Sequence, residues 1–171
     1  MLTAMLVLMW NPAGIHADDQ VSDSYIIEAT LTSRKAKRVA HRVKSPIAVG
    51  NSEQLRNIVH RPFVVGLQQK ADGVEPVIHF VEDGMLAEIK ILTAQNNTVS
   101  IDATIELIRV VDVKTKPFPG LKDKTVQCVR VAGDKARFVE TVSMGEKLTG
   151  TLEVDGVKYD IVLTVKNSTE R

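Results

Sequence analysis

The chain has 171 residues, 44% of them apolar and 25% charged, which is enough for one folded core and lacks the signature of disorder. Its 22 Lys and Arg against 21 Asp and Glu leave a net charge of +1, so no overall field draws nucleic acid or an anionic membrane to it. Aromatic residues at 4% argue against stacking on bases or sugars, and a single cysteine, Cys128, excludes an internal disulfide and a metal site built mainly from cysteine.

In chain order, Leu2 to Trp10 is a short apolar run, broken by Pro12 and Gly14 and ending at Ala17 before Asp18-Asp19. This reads as a signal peptide over residues 1–17, although no Lys or Arg precedes the run; the alternative is a buried N-terminal strand or helix. The run is too short for a transmembrane helix, which needs about 20 apolar residues. Residues 18–23 read as a disordered N-terminus, 24–167 as a single β-rich domain and 168–171 as a tail. The expected location is therefore the periplasm, the cell envelope or the medium, with no integral membrane span.

Tyr25–Thr32 reads as a strand. After it come Arg34, Lys35, Lys37, Arg38, His41, Arg42 and Lys44, the most distinctive local feature of the chain. Two readings fit this basic run. Ala36, Val39, Ala40 and Val43 have the spacing of an amphipathic helix, whereas Val39, His41 and Val43 alternate as in a strand running into Ser45-Pro46. Asn51 to His60 is equally open: a short helix capped by Asn51 or Ser52, or a turn leading into a strand at Ile58-Val59.

Period-2 patterning dominates the remainder. Val99, Ile101, Ala103, Ile105 and Leu107 alternate with Ser100, Asp102, Thr104 and Glu106, as a half-buried strand requires. Val157, Tyr159, Ile161, Leu163 and Val165 repeat the pattern, preceded by a strand through Leu148, Leu152 and Val154, with Asp155-Gly156 as a two-residue turn between them. Further turns are expected at Asp72-Gly73, at Asp83-Gly84 between Val77–Glu82 and Leu86–Thr93, at Gln95-Asn96-Asn97, and at Gly133-Asp134 between Val126–Val131 and Ala136–Val142. Pro117, Pro119 and Gly120 predict an irregular crossover. The expected fold is mainly β, an antiparallel meander forming a sandwich or a partly open barrel, with at most one or two short helices.

Candidate chemistry is sparse. His16, His41, His60 and His79 show no metal-binding spacing, and only His60 and His79 are placed so that they could converge. Glu82-Asp83 and the Glu153/Asp155 pair fall at expected turns, and Cys128 in a Val-rich strand is expected to be a buried, inert thiol. No phosphate-binding loop or nucleophile elbow is present. No catalytic, cofactor or metal residues are assigned, and the chain is expected not to be an enzyme. The candidate interaction residues are Arg34, Lys35, Lys37, Arg38, Arg42 and Lys44, against the plainer reading of a solvated basic face.

Residues 45–152 resemble, in the order of their strands, the C-terminal β-domain of bacterial secretins, and particularly the small secretin-type proteins of planctomycete-like bacteria. The resemblance runs through Ser45-Pro46-Ile47, Pro62-Phe63-Val64-Val65-Gly66, Val81-Glu82-Asp83-Gly84 with Leu86–Ile91, and Asn97–Asp102. It continues through Val126–Val129 and Phe138–Leu148. It implies a sheet domain of a ring-forming outer-membrane family. Gln68–Glu75 departs from that family, being a short polar turn where its membrane-crossing hairpins would stand. The function implied is a non-enzymatic structural or interaction domain, engaging a protein partner or itself through sheet edges, with no nucleic acid and no cofactor. The alternative is a periplasmic binding module for an anionic polymer or glycan that uses the basic run 34–44.

Overall fold

The computed structural model describes residues 24–168, apart from the side chain of Lys122; the expected signal peptide, the N-terminal segment 18–23 and most of the expected tail lie outside the described residues. Eight strands follow one another: β1 (Ser24–Ser33), β2 (Arg38–Ala48), β3 (Ser52–Lys70), β4 (Gly73–Gln95), β5 (Thr98–Phe118), β6 (Leu121–Ser143), β7 (Lys147–Val154) and β8 (Val157–Asn167). They form two four-stranded antiparallel sheets, ordered β2-β1-β8-β7 and β3-β4-β5-β6, arranged as a sandwich and not closed into a barrel. The first sheet joins the hairpins at the two ends of the described chain; the second is the meander between them.

No helix is present among the described residues, and therefore none long and apolar enough to cross a membrane. Both ambiguous segments resolve as strands. Residues 34–37 form the tight turn between β1 and β2, with Lys37 at φ 51°, and the helical spacing of Ala36 to Val43 is overridden by pairing of β2 with β1. Asn51–His60 belongs to β3, in register with β4 from Ser52 opposite Lys90.

The core is built from alternate residues of both sheets. Ile27, Ala29 and Leu31 of β1, with Ile161 and Leu163 of β8, face Met85, Ala87 and Ile89 of β4 and Ile101, Ala103, Ile105 and Leu107 of β5. Tight turns hold the register. Asp155 and Gly156, at φ 51° and 74°, join β7 to β8, and Asn96 and Asn97, at 46° and 65°, join β4 to β5, the positive angles that two-residue hairpin loops demand.

Two expected breaks are absent: Asp83-Gly84 and Gly133-Asp134 lie inside the continuous strands β4 and β6. The break expected at Pro117, Pro119 and Gly120 is present, but as the hairpin turn between β5 and β6 and not as a crossover, with Pro117 paired to Thr125 near the hairpin end, where a missing N–H is tolerated. Ile58, Gly84, Ile108 and Gly133 instead form one row across all four strands of the second sheet. A Cβ on Gly84 would sit 2.2 Å from the Asn57 carbonyl oxygen, so this position requires glycine because a neighbouring backbone approaches it.

Pairing of β4 with β5 ends at this row, at Gly84 opposite Ile108. Beyond it the two hairpins continue as separate arms, β3–β4 to the turn before Gly73 and β5–β6 to the turn at Gly120. The polar turn in Gln68–Glu75 is thus the tip of a long hairpin. The arms meet again through their outer strands, where the Val64 backbone N–H donates to Gln127 Oε1 at 2.9 Å, and Phe63 is buried.

Candidate functional site

The inward row of β5 reads Val99, Ile101, Ala103, Ile105, Leu107 and then Arg109. Side chains two apart share a face, so Arg109 continues the core row into the region beyond it. On β4 the inward row Ile89, Ala87, Met85 ends in the same way, at Asp83. On β3, Val59 stands opposite Asp83 and Arg61 follows on the same face. Three charged groups therefore project inward where the apolar packing runs out.

They form a joined set. Arg109 Nε donates to Asp83 Oδ1 at 2.8 Å, and Arg61 Nη1 donates to Asp83 Oδ2 at 2.9 Å. Arg109 Nη1 donates to the Tyr159 hydroxyl of β8 at 3.0 Å. The Asp83 side chain is only 13% exposed, so the two guanidiniums are also what keeps its charge tolerable there.

A groove of about 850 Å³ opens above this set. The β1–β2 turn closes one side with Lys35, Ala36 and Arg38, and Val39, Val59 and Val157 supply apolar wall. His41 lines it as well, 3.4 Å through Nδ1 from Asn57 Oδ1. Burial pushes the His41 pKa below its ordinary value, the Asn57 contact opposes this, and the Arg109 charge adds to the lowering.

The basic run is divided by the fold. Arg34 turns away to Asp160, with Nη2 at 2.6 Å from Oδ1, and Arg42 pairs with Glu28 at 2.7 Å. Both carboxyl groups are held below their ordinary pKa, chiefly by the hydrogen bond from the arginine. Lys37 occupies the turn and Lys44 stands opposite Glu28 across the β1–β2 ladder. Only Lys35 and Arg38 of the six candidate residues line the groove, and neither has an ion-pair partner among the described residues.

The other candidates are not brought together. His60 and His79 face Glu82 and Phe63 in the β3–β4 register and so point to opposite sides of the hairpin. Among the described residues no group of three or more His, Cys, Asp or Glu side chains is arranged to hold a metal ion. Cys128 is exposed, which corrects the expectation of a buried thiol: its strand lies on an arm, beyond the cover of the opposing sheet. Asp155 does sit in a turn, where it receives both terminal nitrogens of Arg130 at 2.8 and 3.1 Å.

Arg61, Arg109 and Tyr159 are absent from the sequence-derived candidates, and Asp83, expected to serve a turn, stands inside β4 instead. A signal for Arg109 was present: the strict alternation that begins at Val99 carries a charge at the next inward position after Leu107. No known protein family, curated protein or solved structure matches this chain.

Proposed function

We propose that this chain is a non-enzymatic, exported β-domain that works by protein interaction, and that it binds a second copy of itself through the outer face of the β3–β4 arm. The observation that carries this reading is Phe80, which is 68% exposed on a paired strand, with Ile78 beside it at 48%. Pro62 and Val64 stand opposite these two and share their face. Burying a large apolar side chain contributes about 1.5–3 kcal/mol, and folded monomers seldom leave such residues grouped on a flat surface. The strand-order resemblance to a ring-forming family points the same way.

A face is favoured over the edges expected from the sequence. The Val64 N–H of β3 is occupied by Gln127, the Arg42 carbonyl of β2 accepts from Asn57 Nδ2 at 3.2 Å, and the Glu153 N–H of β7 donates to Asp134 at 2.8 Å. Each of these contacts covers backbone that an added strand would need. An anionic polymer on residues 34–44 has less support, because Arg34 and Arg42 are already paired on different elements.

Light scattering of the chain across a hundredfold range of concentration tests the proposal. A dimer or larger defined assembly that dissociates on Phe80→Asp is the expected result. A monomer at every concentration overturns it.

A further inference from the structure

We infer that the groove between the β1–β2 turn and the base of the arms is a binding site for a single organic anion, a phosphate monoester or carboxylate carried on a short apolar body. Four cationic side chains, Lys35, Arg38, Arg61 and Arg109, line it against one carboxylate, Asp83. The chain as a whole is almost neutral, so this is a local excess of positive charge and not a share of a general one.

The donors are incompletely used. Arg109 spends Nε on Asp83 and Nη1 on Tyr159, leaving Nη2; Arg61 spends Nη1 on Asp83, leaving Nε and Nη2. A guanidinium has five N–H groups in a fixed fork, suited to two oxygens of one anion. Asp83 therefore orients both guanidiniums without neutralising them. Lys35 and Arg38 face them from the turn with no ion-pair partner among the described residues, and both are exposed enough to close on a ligand.

The remaining wall decides what the anion is attached to. Ala36, Val39, Ala40, Val59 and Val157 line the same groove, and Val39 and Val59 are 55% and 61% exposed. Inorganic phosphate would leave this surface wet, whereas a hydrocarbon body next to the anionic group would cover it. A long polyanion fits less well, because the neighbouring Arg34 and Arg42 are turned to Asp160 and Glu28 and extend no charged track from the groove. The site is independent of self-association through Phe80, which lies on the opposite face of the β3–β4 arm from Arg61.

The test is calorimetric titration of the full chain with hexyl phosphate, inorganic phosphate and hexanol. Hexyl phosphate should saturate one site and bind at least about tenfold more tightly than inorganic phosphate, with hexanol silent. Arg38→Gln and Arg61→Gln should each weaken it about tenfold, and Val59→Asp, at an exposed position, should abolish it while the β-sheet circular dichroism stays unchanged. Sedimentation with vesicles containing phosphatidic acid, a phosphate monoester, but not with phosphatidylcholine vesicles, lost in the same variants, would identify a lipid headgroup as the source. Hexyl phosphate binding without vesicle binding would identify a free small molecule. Equal binding of hexanol, no saturable binding at millimolar hexyl phosphate, or affinity indifferent to Arg38→Gln and Arg61→Gln would each overturn the inference.

Discussion

The second sheet behaves as two materials joined end to end. From Met85 to Ile91 and from Val99 to Leu107 its inward side chains are fully shielded by the opposing sheet. Its outward face there is polar and cross-linked, with Arg137 bidentate to Asp102 at 2.9 and 2.7 Å and Ser100 bonded to Thr141 at 2.7 Å. Past the row of Ile58, Gly84, Ile108 and Gly133 the same strands continue without a covering sheet. Charge then appears on the inward side, at Asp83, Arg109 and Arg61, and large apolar groups appear on the outward side, at Ile78 and Phe80. One ladder thus supports a core in its first half and two presentable surfaces in its second. The difference comes from the length of the first sheet, whose strands are about half as long as those of the second.

The comparison breaks if substitutions in the two halves cost the same. Ile105→Ala, in the covered half, should destabilise the fold by about 2–5 kcal/mol, because it removes transfer energy and leaves a cavity between two sheets. Val131→Ala on the β6 arm, where the side chain is 44% exposed, should lie within about 0.5 kcal/mol of the parent. Urea unfolding of both variants measures the difference. Equal values would mean that the arms are packed as tightly as the body.

The dividing row can be probed next. Gly84→Ala would place a methyl group 2.2 Å from the Asn57 oxygen and 2.7 Å from Ile58 Cα, both backbone atoms, so the strands must shift at a cost of about 1–3 kcal/mol. Gly133→Ala meets the Leu107 oxygen at 3.2 Å and should cost distinctly less. Denaturant midpoints that rank the two in the reverse order would place the tight crossing on β6 instead of β4.

This row also marks where the sequence was legible and where it was not. Strand identity came through alternation, as in Val99–Leu107 and Val157–Val165, and the β7–β8 turn came through Asp155-Gly156, because those signals are local. Asp83-Gly84 and Gly133-Asp134 carry the same turn chemistry but stand in mid-strand, since glycine is equally required where a second backbone comes close. Reading them as turns cut two 23-residue strands in half and hid the arms. The exposure of Cys128 was lost with the arms, because a Val-rich strand is buried only if a second sheet reaches it. The basic run was visible, but its division between ion pairs and the groove depends on Asp160, which is 126 residues away from Arg34.

The seam between the halves should also register in the pH dependence of stability, as the smallest of these effects. His41 borders the groove, and burial first, then the Arg109 charge, holds its pKa below the ordinary 6.5, against the pull of Asn57 and Asp83. The unfolded chain therefore takes up a proton at His41 at a higher pH than the folded one does. Between 6.5 and the lower folded value the unfolded state binds more protons, so stability falls as the pH is lowered through that window and this contribution levels off below it. Asp102, Asp155 and Asp160, lowered from 3.8 by their arginines, and Glu28, lowered from 4.5 by Arg42, lose their contributions only at more acid pH, as each is protonated through its folded value. Two separate declines are thus expected in urea midpoints followed from about pH 8 to about pH 3. His41→Gln keeps a polar partner for Asn57 but cannot titrate, so it should flatten the first decline and leave the second. A first decline that survives this substitution would place the titrating group away from the seam, and the groove would then be no more sheltered from water than the arms above it.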